Sequence, residues 1–313
     1  MSALRLDAAP FVPVLDGLGQ PIASSSRVEW LAARATGIGA SDAWRLLSEP
    51  YHLWALKSGV VEDEDLSDVE RVQWGHLLEH VVIEQTAARA GVVAWHSGEL
   101  YRSTAHPFAL ATLDGWASHI TVDADNMCPV EAKTAGAWLA DEWADGAPPK
   151  YRIQCQWQML VTGAPRVLLG CLLGGQRLVW SWIERDEATV TALADAGREM
   201  WRRVVESDPP PCDGSEASAR ALAKVYPRDN GEAVVLPGEL IGVSDELDDV
   251  KATIKAAKGR AAVLEAQIQS AIGGASVGLL IDGSGWTWKT QTRVEHVVQA
   301  STFRVLRRTK ARD

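Results

Sequence analysis

A chain of 313 residues with 47% hydrophobic and 23% charged residues has ordinary globular usage, long enough for one sizeable core plus an accessory segment and short for three domains. No apolar run approaches the ~20 residues that span a bilayer, so a membrane-spanning protein is not expected; the opening residues also lack a secretory signal, which makes the cytosol the expected compartment. The formal charge of −10 has the wrong sign for a protein that coats nucleic acid, so any grip on phosphates has to be local.

The widely spread Cys128, Cys155, Cys171 and Cys212 contain no CxxC pair, which fits reduced thiols better than disulfides or a zinc site. Fourteen tryptophans stand against three phenylalanines. Most are expected to pack in the core, although exposed indoles also stack on bases.

In chain order, residues 24–35 open with serines suited to capping and continue with helix formers, and Thr36-Gly-Ile-Gly-Ala40 predicts a tight turn. Ser41-Asp42 is expected to cap a second helix reaching about residue 48, followed by a third at 51–58 that Gly59 stops. The acidic run 62–65 reads as a solvated loop, and 69–90 as a long helix ended by Gly91, with Glu79 near its middle. Strands are expected at 92–96, 108–113, 116–122, 130–133, 166–173 and 177–183. Helices are expected at about 135–144, 150–162 and 186–205, so the order predicts an α/β (α+β) fold with a mixed central sheet flanked by helices.

The character changes after Asp208-Pro-Pro-Pro211, which predicts a main domain over 1–212 and an accessory region over 213–313. Leu247, Val250, Ile254, Ala257, Ala261, Leu264 and Ile268 form a heptad-like seam, short for an isolated coiled coil and interrupted by Gly259, so it is expected to pack on its own domain or on a sister subunit. Residues 277–281 and 286–291, joined by Asp282-Gly-Ser-Gly285, predict a β-hairpin. Residues 289–312 hold seven Lys or Arg against one acid, Glu295, and read equally well as a nucleic-acid contact or a solvated tail.

The chemistry concentrates in Asp114 and, after sixteen intervening residues, Glu131-Ala-Lys133. On a strand the side chains of E-x-K share one sheet face, because side chains alternate with period two. Asp114 can reach that spot from the neighbouring hairpin and Glu79 from a helix on the sheet. Two like charges about 4 Å apart cost around 4 kcal/mol at an effective dielectric of 20, so three converging carboxylates call for a cation. Hard oxygen ligands suit Mg²⁺, with Mn²⁺ able to substitute, and Lys133 would help to orient or acidify an attacking water.

E-x-K alone is a common triplet, and its neighbourhood is what makes it specific. Thr36-Gly-Ile-Gly-Ala-Ser-Asp42, Trp74-Gly-His-Leu-Leu-Glu79, His106-Pro-Phe-Ala-Leu-Ala-Thr-Leu-Asp-Gly115, Val130-Glu-Ala-Lys-Thr134 and Tyr151-Arg-Ile-Gln-Cys-Gln-Trp-Gln-Met159 occur in one order. Together, over about residues 27–185, they resemble the YqaJ-type viral recombinase family, relatives of lambda exonuclease within the PD-(D/E)xK nucleases. The resemblance implies a mixed sheet with flanking helices and Mg²⁺-dependent 5′-to-3′ digestion of linear double-stranded DNA for phage-type recombination. It further implies a homo-oligomer, as a ring-shaped trimer, working with a single-strand annealing protein of the RecT or Red-beta type.

Carried over by position, Glu79, Asp114 and Glu131 match the metal-binding acids, Ala132 the carbonyl ligand, Lys133 the catalytic lysine and Gln154 an active-site glutamine. Arg34 and Ser41 fall where the family holds the terminal phosphate, and Thr112 replaces a serine near it. Residues 134–149 contain no Lys or Arg, whereas lambda exonuclease places a phosphate-binding arginine there. Alternatives are a restriction or repair endonuclease of the same superfamily, a non-catalytic DNA-binding module, and a metalloprotease reading of His76-x-x-Glu79-His80.

Overall fold

The computed structural model describes residues 19–22, 26–63, 65–119, 127–293 and 303–308. The expected acidic loop at 62–65, strand at 116–122 and basic stretch at 289–312 each lie partly outside the described residues. The chain divides into two compact units, Met1–Pro227 and Arg228–Asp313.

The first unit opens with β1 (Gly19–Ile22), α1 (Arg27–Ala35) and β2 (Ile38–Gly39), then a 3-10 turn at Ala40–Asp42, α2 (Ala43–Ser48) and α3 (Pro50–Lys57). The long helix α4 (Glu70–Ala90) leads into strands β3 (Val93–His96), β4 (Leu100–Ser103), β5 (Ala109–Thr112), β6 (Gly115–Ser118) and β7 (Cys128–Ala135). A 3-10 segment at Ala137–Trp143, α5 (Pro149–Thr162), β8 (Arg166–Leu173), β9 (Arg177–Glu184), α6 (Glu187–Glu206) and α7 (Glu216–Val225) complete it. The boundary expected after Cys212 falls before α7, which buries Ala217, Ser218 and Ala221, packs on α3 and belongs to the first unit.

The expected mixed α/β class is present, and its strands divide between two sheets. One has the order β1-β4-β5-β2 and the other β3-β6-β7-β8-β9. Strands β7 and β8 pair in parallel at the centre of the second sheet, where the continuous run Val-Leu-Leu-Gly-Cys-Leu-Leu173 of β8 suits a strand covered on both faces. Helix α5 contacts strands of both sheets, which explains why every residue from Cys155 to Thr162 is buried. Trp157, fully buried in α5, donates its indole N–H to the Leu110 carbonyl of β5 at 3.0 Å and so joins helix to sheet.

On the opposite face of β8, α4 approaches so closely that a Cβ on Gly170 would stand 2.0 Å from Thr86 Oγ1. The Thr86 hydroxyl is buried without a hydrogen-bond partner, so the fit rests on the glycine alone. Gly170→Ala is expected to destabilise the unit by about 1–3 kcal/mol through overpacking. Adding Thr86→Ala should recover most of that loss. Urea melts of the two single variants and the double variant measure the coupling, and purely additive effects would refute the contact.

In the second unit, α8 (Leu240–Ile272) precedes a hairpin of β10 (Val277–Leu279) and β11 (Gly285–Thr287), as the turn residues predict. Leu247, Val250, Ile254 and Leu264 of the heptad-like seam are exposed. From the basic stretch, Arg308 pairs with Asp245 and Asp248 of α8 at 2.7 and 2.6 Å.

Candidate active site

Asp114 stands where the chain leaves one sheet and enters the other, between Thr112 at the end of β5 and Gly115 at the start of β6. Ser97 and Gly98 clamp this crossing by donating their N–H groups to the carbonyls of Asp114 and Leu113 at 2.9 and 2.8 Å. Gly115 is required because a Cβ there would lie 2.6 Å from the Trp95 carbonyl oxygen. The Asp114 carboxylate accepts the Ala132 N–H at 2.8 Å, which draws it onto β7.

Glu131 on β7 is only 1% exposed. Its Oε1 accepts from Gln154 Nε2 at 2.6 Å and pairs with the Lys133 ammonium, and its Oε2 accepts from the Gln158 amide. The E-x-K alternation therefore sets acid and amine side by side, facing α5. Helix α4 brings Glu79 from another direction, with its carboxylate 2.8 Å from His96 Nε2 and 3.7 Å from His76 Nδ1. His80 is exposed.

The charges register each other. Burial first, then the like charges of Glu131 and Glu79, push the Asp114 carboxyl well above the usual carboxylate range, with Lys133 and the Ala132 N–H acting in opposition. Burial disfavours the Lys133 ammonium, but Glu131 and Asp114 outweigh it and hold that amine above the ordinary lysine range. With all three acids ionised, three negative charges against one positive leave a local charge of −2, which matches one divalent cation.

Glu79, Asp114, Ala132 and Lys133 line an open cleft of about 790 Å³, with Glu131 just behind its wall. Among the described residues no three acidic, histidine or cysteine side chains form a closed metal-binding group. The donor set nevertheless fits a hard divalent ion in chemistry and in charge, since all its atoms are oxygens; for Glu131 to share in it, Lys133 or a glutamine has to yield an oxygen.

Arg34 and Ser41 are brought together, with Arg34 Nη2 donating to Ser41 Oγ at 3.2 Å and its guanidinium 4.7 Å from the Trp30 ring. The parallel register of β2 on β5 sets the Ser41 end of one strand beside the Thr112 end of the other. Ser41 does not cap a helix as expected: it lies in the 3-10 turn Ala40–Asp42, and α2 starts only at Ala43. The reason is Asp42, whose carboxylate turns inward to accept the Gly39 N–H at 3.3 Å and to pair with Lys57 at 2.8 Å and Arg45 at 3.2 Å.

Gln158 and His96 escape a reading of the sequence for sites. Gln158 carries a signal, because it follows Gln154 by one helical turn and so shares its face. His96 has none, since its meeting with Glu79 depends on how β3 and α4 pack.

The chain is similar to several known proteins. Residues 29–165 match the YqaJ-like viral recombinase domain. The protein YqaJ of Bacillus subtilis (strain 168) is 30% identical over 265 residues, covering 82% of this chain and 81% of that protein. Among solved structures, an alkaline exonuclease (LHK-Exo) from Laribacter hongkongensis aligns with a TM-score of 0.47 at 19% identity, covering 64% of this chain and 100% of that one. A phage related exonuclease from Haemophilus somnus 129PT aligns at 0.40 and 12% identity, covering 55% and 96%.

Proposed function

We propose that this chain, which belongs to the YqaJ-like viral recombinase family, is a metal-dependent nuclease that digests linear double-stranded DNA from its 5′ ends. The observation that carries the reading is the convergence of Glu79, Asp114 and Lys133 on one open cleft, with buried Glu131 paired to Lys133 behind its wall. A carboxylate cluster with a net charge of −2 repels a phosphodiester unless a cation is bound, which favours a metal-dependent hydrolase over a module that merely binds DNA.

A divalent ion, Mg²⁺ with Mn²⁺ able to substitute, held by Glu79, Asp114, Glu131 and the Ala132 carbonyl would supply positive charge at the scissile phosphate and acidity to a water molecule. Lys133 places its ammonium next to the attacking oxygen and favours loss of that oxygen's proton. Gln154 and Gln158 hold the Glu131 carboxylate still through their amide N–H groups. Arg34 and Ser41 present a guanidinium and a hydroxyl suited to a terminal 5′-phosphate. An annealing protein that receives the exposed strand, and self-association through the seam of α8, complete the proposal.

One experiment separates the alternatives. Purified protein with Mg²⁺ is expected to degrade a linear duplex, to spare covalently closed circles, and to stop in EDTA. Loss of closed circles would point to an endonuclease, and a mobility shift without loss of mass to a binding module. A duplex with a 5′-phosphate should be digested faster than one with a 5′-hydroxyl, and Arg34→Ala should narrow the difference.

A further inference from the structure

Trp138 is the most exposed of the fourteen tryptophans, at 84%, and it lines the same cleft as Asp114 and Lys133. An indole left open to water is unusual, because tryptophan is mostly buried. The local backbone makes room for it there. A Cβ on Gly136 would lie 2.5–2.6 Å from three carbons of the Trp138 six-membered ring, so the glycine is the seat on which the indole rests. The seat is braced in turn: Gly174 donates its N–H to the Ala135 carbonyl at 2.8 Å, and a Cβ on Gly174 would stand 3.0 Å from Ala137 Cβ. A second exposed indole, Trp74 on α4, also lines the cleft, tied to its own helix by a 3.4 Å hydrogen bond from Nε1 to Glu70.

An exposed aromatic ring seated on a glycine beside phosphodiester-cutting groups has the chemistry to receive a nucleobase. Every base has a π-face, so stacking holds a strand without reading its sequence. A paired base inside a duplex has both faces already covered, and only an unpaired one can offer its face to an indole. Residues 134–149 contain no Lys or Arg to hold phosphates on this side of the cleft.

We propose that Trp138, seated on Gly136, is a stacking platform for an unpaired terminal base of the strand being cut, with Trp74 as a second aromatic wall of the same cleft. The proposal rests on the reading of the cleft as a DNA-cutting site and deepens it by naming the side chain that receives the base beside Asp114 and Lys133.

The test uses a short forked duplex with Ca²⁺ in place of Mg²⁺, an oxygen-binding divalent ion that offsets the carboxylate charge without the compact geometry of Mg²⁺; the duplex is labelled at its far end and followed by fluorescence anisotropy. Its unpaired 5′-terminal nucleotides are either intact or abasic. Wild-type protein is expected to bind the intact fork about tenfold more tightly than the abasic one, the order of magnitude of one stacked base. Trp138→Ala should bring that ratio close to one while leaving affinity for the abasic fork unchanged, and Trp138→Phe should keep most of the preference. If Trp138→Ala retains the preference, or weakens both forks by the same factor, the platform is refuted while the nuclease reading stands. If the wild-type protein binds the forks but shows no preference for bases, the platform is likewise refuted. If it binds neither fork nor linear duplex, the nuclease reading itself fails and the platform falls with it. A thermal melt of Trp138→Ala within a few degrees of wild type confirms that the exposed residue was removed without unfolding the protein.

Discussion

Asp114→Asn, Glu131→Gln and Lys133→Ala are each expected to lower the rate of DNA cleavage by roughly 10²- to 10⁴-fold while leaving the protein folded. The reason differs for each. Asp114 lines the cleft and is held on β7 by the Ala132 N–H, so its charge faces the place where the phosphate must sit. Glu131 anchors Lys133, and without its charge the ammonium loses its nearest carboxylate. Lys133 supplies the only positive charge among these three groups. Stability should move the other way for Asp114→Asn. Burial and the charges of Glu131 and Glu79 raise the Asp114 pKa, so the metal-free fold favours the protonated acid. An acid with a raised folded pKa adds stability only at low pH and loses it as pH rises through that pKa, and the neutral asparagine escapes this loss. Its metal-free melting temperature at neutral pH should therefore equal or exceed that of wild type. Mg²⁺ should raise the melting temperature of wild type and much less that of the variant. Near wild-type cleavage by any of the three at saturating Mg²⁺ would remove these residues from the chemistry.

The site was legible in the sequence where it depends on local periodicity. Glu131 and Lys133 share a sheet face because they stand two positions apart, and Glu79 faces the site from a helix whose spacing and terminal Gly91 mark it clearly. What depended on packing between elements was not legible. The division into two sheets turns on β1, β2 and β4, which are two to four residues long and carry polar residues such as Arg102 and Ser103, so no alternation announces them. The helix expected at 135–144 becomes the tail of β7 and a 3-10 segment, because pairing with β8 continues to Ala135. Gln158 has an apolar neighbour on each side and reads as part of a core helix. Its meeting with Glu131 follows from α5 lying between the sheets.

Asp42 gives the largest stability effect expected outside the cleft. It is 4% exposed, and its carboxylate joins three elements by accepting the Gly39 N–H and pairing with Arg45 of α2 and Lys57 of α3. Burial alone would raise its pKa, but Lys57, by charge and hydrogen bond, and then Arg34 and Arg45 overcome it and hold the carboxyl below its ordinary value of 3.8. Asp42→Asn keeps the shape and removes the charge, leaving the Lys57 ammonium, itself 11% exposed, without its partner. Breaking a buried pair from one side costs about 3–5 kcal/mol, and for a unit of this size that corresponds to a fall in melting temperature of roughly 10 °C at pH 7. The sign of the pH dependence follows from the depressed pKa. The stabilisation is fully present above the unfolded value and is lost as pH falls through the lower folded one, so wild type and variant should converge only in strong acid, below pH 3.8. The same carboxylate holds the Gly39 N–H and so sets the turn that presents Ser41 to Arg34. Asp42→Asn is therefore expected to weaken any preference for 5′-phosphorylated ends as well as the fold. A melting temperature within about 2 °C of wild type at pH 7 would show that Lys57 finds another partner and that Asp42 is not the brace of this turn.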